Sequence, residues 1–106
     1  MPHGQSFAVV DVETATSDNA SICQIGIVQF VDGRCVDRWS SLVNLGVAFD
    51  EFNVALHGIT DETVRQASRL PEILPDVRRR LKDQIVDCHT MFDRNAFHIA
   101  FGTALR

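Results

Sequence analysis

FAVVDVETA, residues 7 to 15, is the stretch on which the fold turns. Phe7 to Val12 is apolar and rich in β-branched side chains, the composition of a buried strand. The strand carries Asp11-Val12-Glu13 at its end. Side chains two apart on a strand leave the same face, so both carboxylates point one way, with Cα atoms roughly 6–7 Å apart. Two such acids repel one another unless a cation or a proton lies between them. Either this is a polar strand end facing water, or it is a pair that holds a metal. The FAVV run favours the second, because it delivers both acids from inside a core.

Working outward, Thr14 to Ser21 is rich in Thr, Ser, Asp and Asn and reads as a loop. Ser21 to Val31 (SICQIGIVQFV) is largely apolar on both alternating faces, which predicts a central strand. Asp32-Gly33 is a hairpin turn signal. Arg34 to Val43 then alternates as the returning antiparallel strand, with Cys35, Asp37, Trp39 and Ser41 on one face. Asn44 to Asn53 reads as irregular. Thr60 predicts the cap of a short helix over 61–65, with acids in its first turn. A second helix is expected from near Pro71 or Leu74 to Lys82, with Leu70, Leu74, Val77 and Leu81 on one stripe and a late regular start because of Pro75. Gln84 to Cys88 predicts a short strand, and Phe92 to Phe101 a helix with Phe97, Ala100, Phe101 and Ala104 facing inward. The order β-β-β-α-α-β-α describes an antiparallel three-strand meander, a helical crossover and a fourth, parallel strand: an α/β mixed sheet with helices on it.

That topology brings in Asp93. Ligands of open α/β sheets collect at the carboxyl ends of parallel strands. If the fourth strand lies beside the first, Asp93 reaches the same edge as Asp11 and Glu13, and three carboxylates there suit hard, oxygen-preferring ions such as magnesium or manganese. Read locally, Asp93 serves equally well as an acid at a helix N-terminus.

Composition limits the rest. The chain has 106 residues, 45% hydrophobic and 23% charged, which is globular rather than disordered or fibrous and sufficient for one domain, 1–106. Its longest apolar run, Ile25 to Val31, contains Gln29 and falls far short of the ~18–20 residues needed to span a bilayer. Met1 to Ser6 is polar and lacks the regions of a secretion signal, so a soluble cytoplasmic protein with no membrane partner is expected. Cys23, Cys35 and Cys88 are odd in number and widely spaced, and read as reduced and mostly buried. A net charge of −4 disfavours nucleic-acid binding by bulk electrostatics but leaves room for a nuclease whose cations supply the positive charge. Of ten basic residues only Lys82 is a lysine, and five arginines lie between Arg65 and Arg80. They read either as a solvated helix face or as a phosphate-contacting flank.

Three segments together resemble one family. FAVVDVETA, NVALHGIT and VDCHTMFDRNAF follow in the order, and at spacing similar to that, of the DnaQ-like (DEDDh) 3′–5′ exonucleases, a class that includes the proofreading epsilon subunit of bacterial DNA polymerase III. The family's Asp-x-Glu-Thr matches Asp11 to Thr14, its His-Gly-Ile matches 57–59, and its Phe-Asp pair matches Phe92-Asp93. His89 stands where an Asn is common. The third motif, His-x-x-x-x-Asp, does not occur, and the chain is therefore expected to be the N-terminal part of such a domain. His98 does not replace the missing base, since five residues after Asp93 on a helix it lies about 140° round.

The resemblance implies a ribonuclease H-like fold and removal of nucleotides from DNA or RNA 3′ ends with two divalent ions, Mg or Mn. Asp11, Glu13 and Asp93 would be the metal-holding catalytic residues. Thr14 and His57 would contact the terminal nucleotide, and Phe92 would lie near it. His57 also reads as a loop residue satisfied by backbone, and Phe92 as plain core. The implied partner is a single-stranded 3′ end, with a DNA polymerase left open. Little activity is expected of this chain alone. Other readings are an inactive nucleic-acid-binding module, or a fragment that self-assembles as a homodimer through the region of Phe97, Ala100, Phe101 and Leu105.

Overall fold

The computed structural model describes residues 6–88 and Asn95. Strands β1 (Ser6–Thr14), β2 (Ile22–Val31) and β3 (Arg34–Leu42) are followed by helices α1 (Glu51–His57) and α2 (Leu70–Leu81), then by β4 (Ile85–Cys88). The sheet order is β3-β2-β1-β4. β1 pairs antiparallel with β2 and parallel with β4, with Phe7 opposite Ile85 and Val10 opposite Cys88. This is the mixed sheet expected from the sequence, and both apolar strands, β1 and β2, are interior.

Alternation along β1 separates two faces. Ala8, Val10, Val12 and Thr14 are buried, whereas Phe7, Val9 and Glu13 are half-buried and Asp11 is exposed. The buried face joins Ile25 and Ile27 of β2 and meets Ile73, Val77 and Leu81 of α2. Leu70 and Leu74 pack at its margin, so the predicted stripe holds with Ile73 added. Gln29 Nε2 donates to the Arg80 carbonyl at 2.7 Å and ties β2 to α2. Arg80 also pairs with Asp37 and lies 5.0 Å over the Trp39 ring. α2 starts at Leu70 despite Pro75, with the Glu72 carboxylate accepting the Arg69 backbone N–H at 2.7 Å.

The hairpin between β2 and β3 turns through Asp32 and Gly33, both left-handed at φ 51° and 80°. That double positive φ suits the right-handed twist of the strands, and it is why Asp-Gly was a reliable signal. A register shift follows at Gln29/Phe30: Phe30 faces Cys35 and Gln29 faces Asp37, so Val36 is the extra residue. The regular alternation therefore starts only at Asp37. Cys35, beside this bulge on an edge strand, is exposed rather than buried.

Two local expectations fail between the sheet and α2. Residues 51–53 open a helix rather than continue a loop, and residues 61–66 are turns rather than a helix. α1 buries none of its residues, so it lacks the apolar stripe by which a helix is usually recognised. Its stop signal is Gly58, left-handed at φ 76°, with its N–H on the Val54 carbonyl. Thr60 does cap, its Oγ1 accepting the Thr63 N–H at 3.1 Å. The turn then closes through Arg65 N–H to the Glu62 carbonyl instead of propagating. With β-branched Thr63 and Val64 there is too little helix-favouring sequence to offset nucleation.

The core predicts a steep contrast. Ile27 is fully buried and Val36 is 56% exposed. Ile27→Ala should lower unfolding free energy by about 2–5 kcal/mol in urea titrations, whereas Val36→Ala should change it by less than about 0.5 kcal/mol.

Candidate functional site

The carboxyl end of β1 organises the site. Asp11 and Glu13 lie on the sheet face opposite α2, one exposed and one half-buried. Directly across from Asp11, β2 places Gly26. With no side chain there, a cleft of about 360 Å³ opens over the sheet between Asp11, Val28, Arg38 and Ser40. The arginines at 78–80 belong to α2 and so sit on the other side of the sheet from the acids. Arg79 pairs with Asp76 and Arg80 with Asp37. For Arg79 and Arg80, placement and pairing favour a helix-face role, Arg80 being packed over Trp39 rather than solvated.

Past Glu13 the strand is deflected. Glu13 faces Gln24 but Thr14 faces Ile22, so Cys23 is an extra residue on β2. The deflected end carries a second cleft of about 320 Å³, lined by Glu13, Thr14, Thr16, Ser17 and, from α1, Phe52, Asn53, Leu56 and His57. Phe52 and Leu56, four apart, stand 76% and 71% exposed at its wall. Together they make a small exposed apolar patch beside the acids.

Thr14 is buried, and its carbonyl accepts from Asn53 Nδ2 at 3.1 Å and from His57 Nε2 at 2.8 Å. Asn53 Nδ2 also lies 3.3 Å from Thr14 Oγ1 and 3.2 Å from the Thr16 carbonyl. His57 Nδ1 accepts the Ile59 N–H at 3.0 Å. Nδ1 is thus an acceptor and Nε2 faces an acceptor, which assigns a neutral ring with its proton on Nε2. The loop beside it is fixed by Ser21, whose Oγ donates to the Asp18 carbonyl at 2.6 Å and accepts the Thr16 N–H at 3.0 Å.

The structure therefore places Asp11 and Glu13 on one face, and Glu13, Thr14 and His57 around one cleft. Asp93 and Phe92 lie outside the described residues. β4 runs parallel to β1 and ends at Cys88, level with Val10 in the middle of β1. Sequence reasoning missed Phe52, Asn53 and Leu56. The available signal was two i,i+4 pairs, Phe52/Leu56 and Asn53/His57, just before a helix-stopping glycine. Asp11 and Glu13 supply the hard carboxylate oxygens that magnesium and manganese prefer. Among the described residues, no three His, Cys, Asp or Glu side chains gather at one point. Two carboxylates are fewer ligands than such an ion takes. No helix among the described residues is long and apolar enough to cross a membrane.

The chain is thus a mixed four-stranded sheet whose interior strand β1 presents two acids on one face towards its carboxyl end. Residues 8–99 match the family described as "Exonuclease", and the chain belongs to that family, on its DnaQ-like branch. A 3′-5′ exonuclease DinG from Staphylococcus epidermidis is 32% identical over 99 residues, covering 91% of this chain and 11% of that protein. The Staphylococcus haemolyticus protein of the same name is also 32% identical, with the same coverage. The chain thus spans about a tenth of the length of these relatives. Among solved structures, the nuclease domain of 3′hExo bound to rAMP has a TM-score of 0.74 at 16% identity, over 95% of this chain and 60% of that one. Exonuclease X with 5′ overhanging duplex DNA has a TM-score of 0.63 at 18% identity, over 91% of this chain and 73% of that one.

Cys23 adds a titration signature at the same bulge. Burial, then the Glu13 charge, push its thiol up from 9.0 to about 11. Between those values the unfolded chain gives up a proton that the folded chain keeps, so stability falls as pH rises from 9 to 11. The slope reaches at most roughly 1.4 kcal/mol per unit and is shallower near each end, so the loss across the window is about 2 kcal/mol. Cys23→Ala should flatten the decline, as measured by urea unfolding across that range.

Proposed function

We propose that the chain is an exonuclease-like domain that takes the 3′ end of a single nucleic-acid strand, DNA or RNA, and hydrolyses its last phosphodiester bond. One observation carries this reading. Glu13, one of two same-face carboxylates, also lines a cleft whose outer wall is two bare apolar side chains. A scissile phosphate over the acids would then leave its terminal base against Phe52 and Leu56. The family membership, and the activity in the relatives' names, support the direction of attack.

Asp11 and Glu13, together with Asp93, would hold two divalent ions, Mg or Mn. Bound there, such ions polarise the phosphate and lower the pKa of a bound water. The chain's own contribution is orientation. Phe52 and Leu56 offer stacking to any base, worth ~1–3 kcal/mol per base and tolerant of sequence. Thr14 and His57 shape the cleft floor, and Phe92 is assigned to the same nucleotide's surroundings by its place in the motif. His57 is not the water's base, because both its ring nitrogens are engaged by backbone. Without a general base, a reaction typically runs ~10²–10⁴-fold slower.

A second reading, binding without turnover, is favoured by that same engagement of His57. One experiment separates them: a 3′-labelled single-stranded oligonucleotide is incubated with the full chain and manganese. Slow release of mononucleotides, stopped by EDTA and reduced at least about 100-fold by Asp11→Asn, is the expected result. Binding with no release selects the second reading, and neither binding nor release overturns both.

A further inference from the structure

α1 has an unusual basis for its position. It is seven residues long and buries none of them. A helix so short is marginal alone, and tertiary contacts must hold it. Here the contacts are polar and converge on one strand end. Asn53 and His57, one turn apart, both donate to the Thr14 carbonyl, at 3.1 and 2.8 Å. The other side of the ring is fixed by Ile59 N–H, and the helix entrance by the Asp50 N–H on the Ala15 carbonyl at 2.9 Å. Phe52 and Leu56 each precede a member of this pair by one residue. Phe49 and Ile59 anchor the chain on either side of α1 in an apolar cluster with Ala15 and Cys23, and within the helix the Asn53 and His57 bonds hold Phe52 and Leu56 beside Glu13.

We propose that Asn53 and His57 form a latch that positions the Phe52/Leu56 wall, so that the cleft selects a nucleotide with a planar base over a bare sugar phosphate. Both are positioning residues. They act through α1, and through the Thr14 carbonyl they also fix the backbone that follows Glu13. The proposal rests on the cleft being the site of the terminal nucleotide, as argued above, and adds what makes it recognise a base. Loss of either donor leaves the Thr14 carbonyl one bond short and lets α1 drift, widening the gap in which a base is stacked. His57→Gln keeps an N–H at the position of Nε2 and is the conservative control.

The test has two arms on the full chain. In the first, adenosine 5′-monophosphate and ribose 5-phosphate are titrated with manganese present and followed by the amide signals of residues 14–17 and 51–57. The unaltered chain should bind the nucleotide at least about tenfold more tightly than the sugar phosphate, the stacking increment. His57→Ala and Asn53→Ala should bring that ratio to about two or less, while weakening the sugar phosphate little, and His57→Gln should retain most of it. In the second arm, amide hydrogen exchange of 51–57 should speed up in both alanine variants with β1 protection unchanged. This readout needs no ligand. Alanine variants that keep both the base preference and the α1 protection overturn the latch. An unaltered chain with no base preference, whose α1 nonetheless loosens in the variants, keeps the latch as a structural device. That result overturns its role in base selection, and with it the terminal-nucleotide reading of the cleft. If β1 also loosens, the variants have lost the fold rather than the latch, and the selection claim falls if His57→Gln behaves in the same way.

Discussion

A strand paired on both edges cannot slip, and β1 is paired antiparallel with β2 and parallel with β4. Its register then decides which side chains enter the core, because a shift of one residue would exchange the two faces. Val10 and Val12 meet α2 on one side. The same alternation forces Asp11 and Glu13 to the other side, away from the helix and its arginines. The carboxylates are thus held by the packing of their neighbours, and no local feature of the strand end is needed to orient them.

The bulge at Glu13/Thr14 adds a second constraint. An extra residue on β2 breaks the ladder just where the acids end and directs Thr14 towards α1. The Thr14 carbonyl collects two side-chain donors in compensation. Burying that carbonyl without partners would cost on the order of 1–3 kcal/mol. A helix with no core of its own is thereby fixed beside the acids. Cys23, the extra residue, is buried at the same point and keeps its proton well above neutral pH.

This arrangement separates rigidity from recognition. The sheet and α2 carry the hydrophobic core, and Trp39, Arg80 and Asp37 close its far margin. The cleft is assembled from a short helix and a loop tied together by hydrogen bonds. Such a border can be tuned by single side chains without disturbing the core. It can also be weakened by single side chains, since α1 itself buries none of its residues and apolar packing holds only the chain on either side of it.

The sequence by itself determined the sheet. The β-branched runs at Phe7 to Val12 and Ser21 to Val31, the Asp-Gly turn and the stripe through Val77 and Leu81 each state a period of 2 or 3.6 that burial then enforces. It also determined that Asp11 and Glu13 share a face, because alternation needs no tertiary information, and its motifs pointed to the family. It did not reveal α1, the bulges at Cys23 and Val36, or the cleft. Period is visible only where burial imposes it, and α1 buries nothing. Bulges are set by how two strands meet, not by either strand alone. His57 reads in sequence as part of a His-Gly-Ile motif with two open roles. The tertiary structure decided what its ring nitrogens do, because the partners, Thr14 and Ile59, come from a strand 43 residues away and from the turn just beyond the helix.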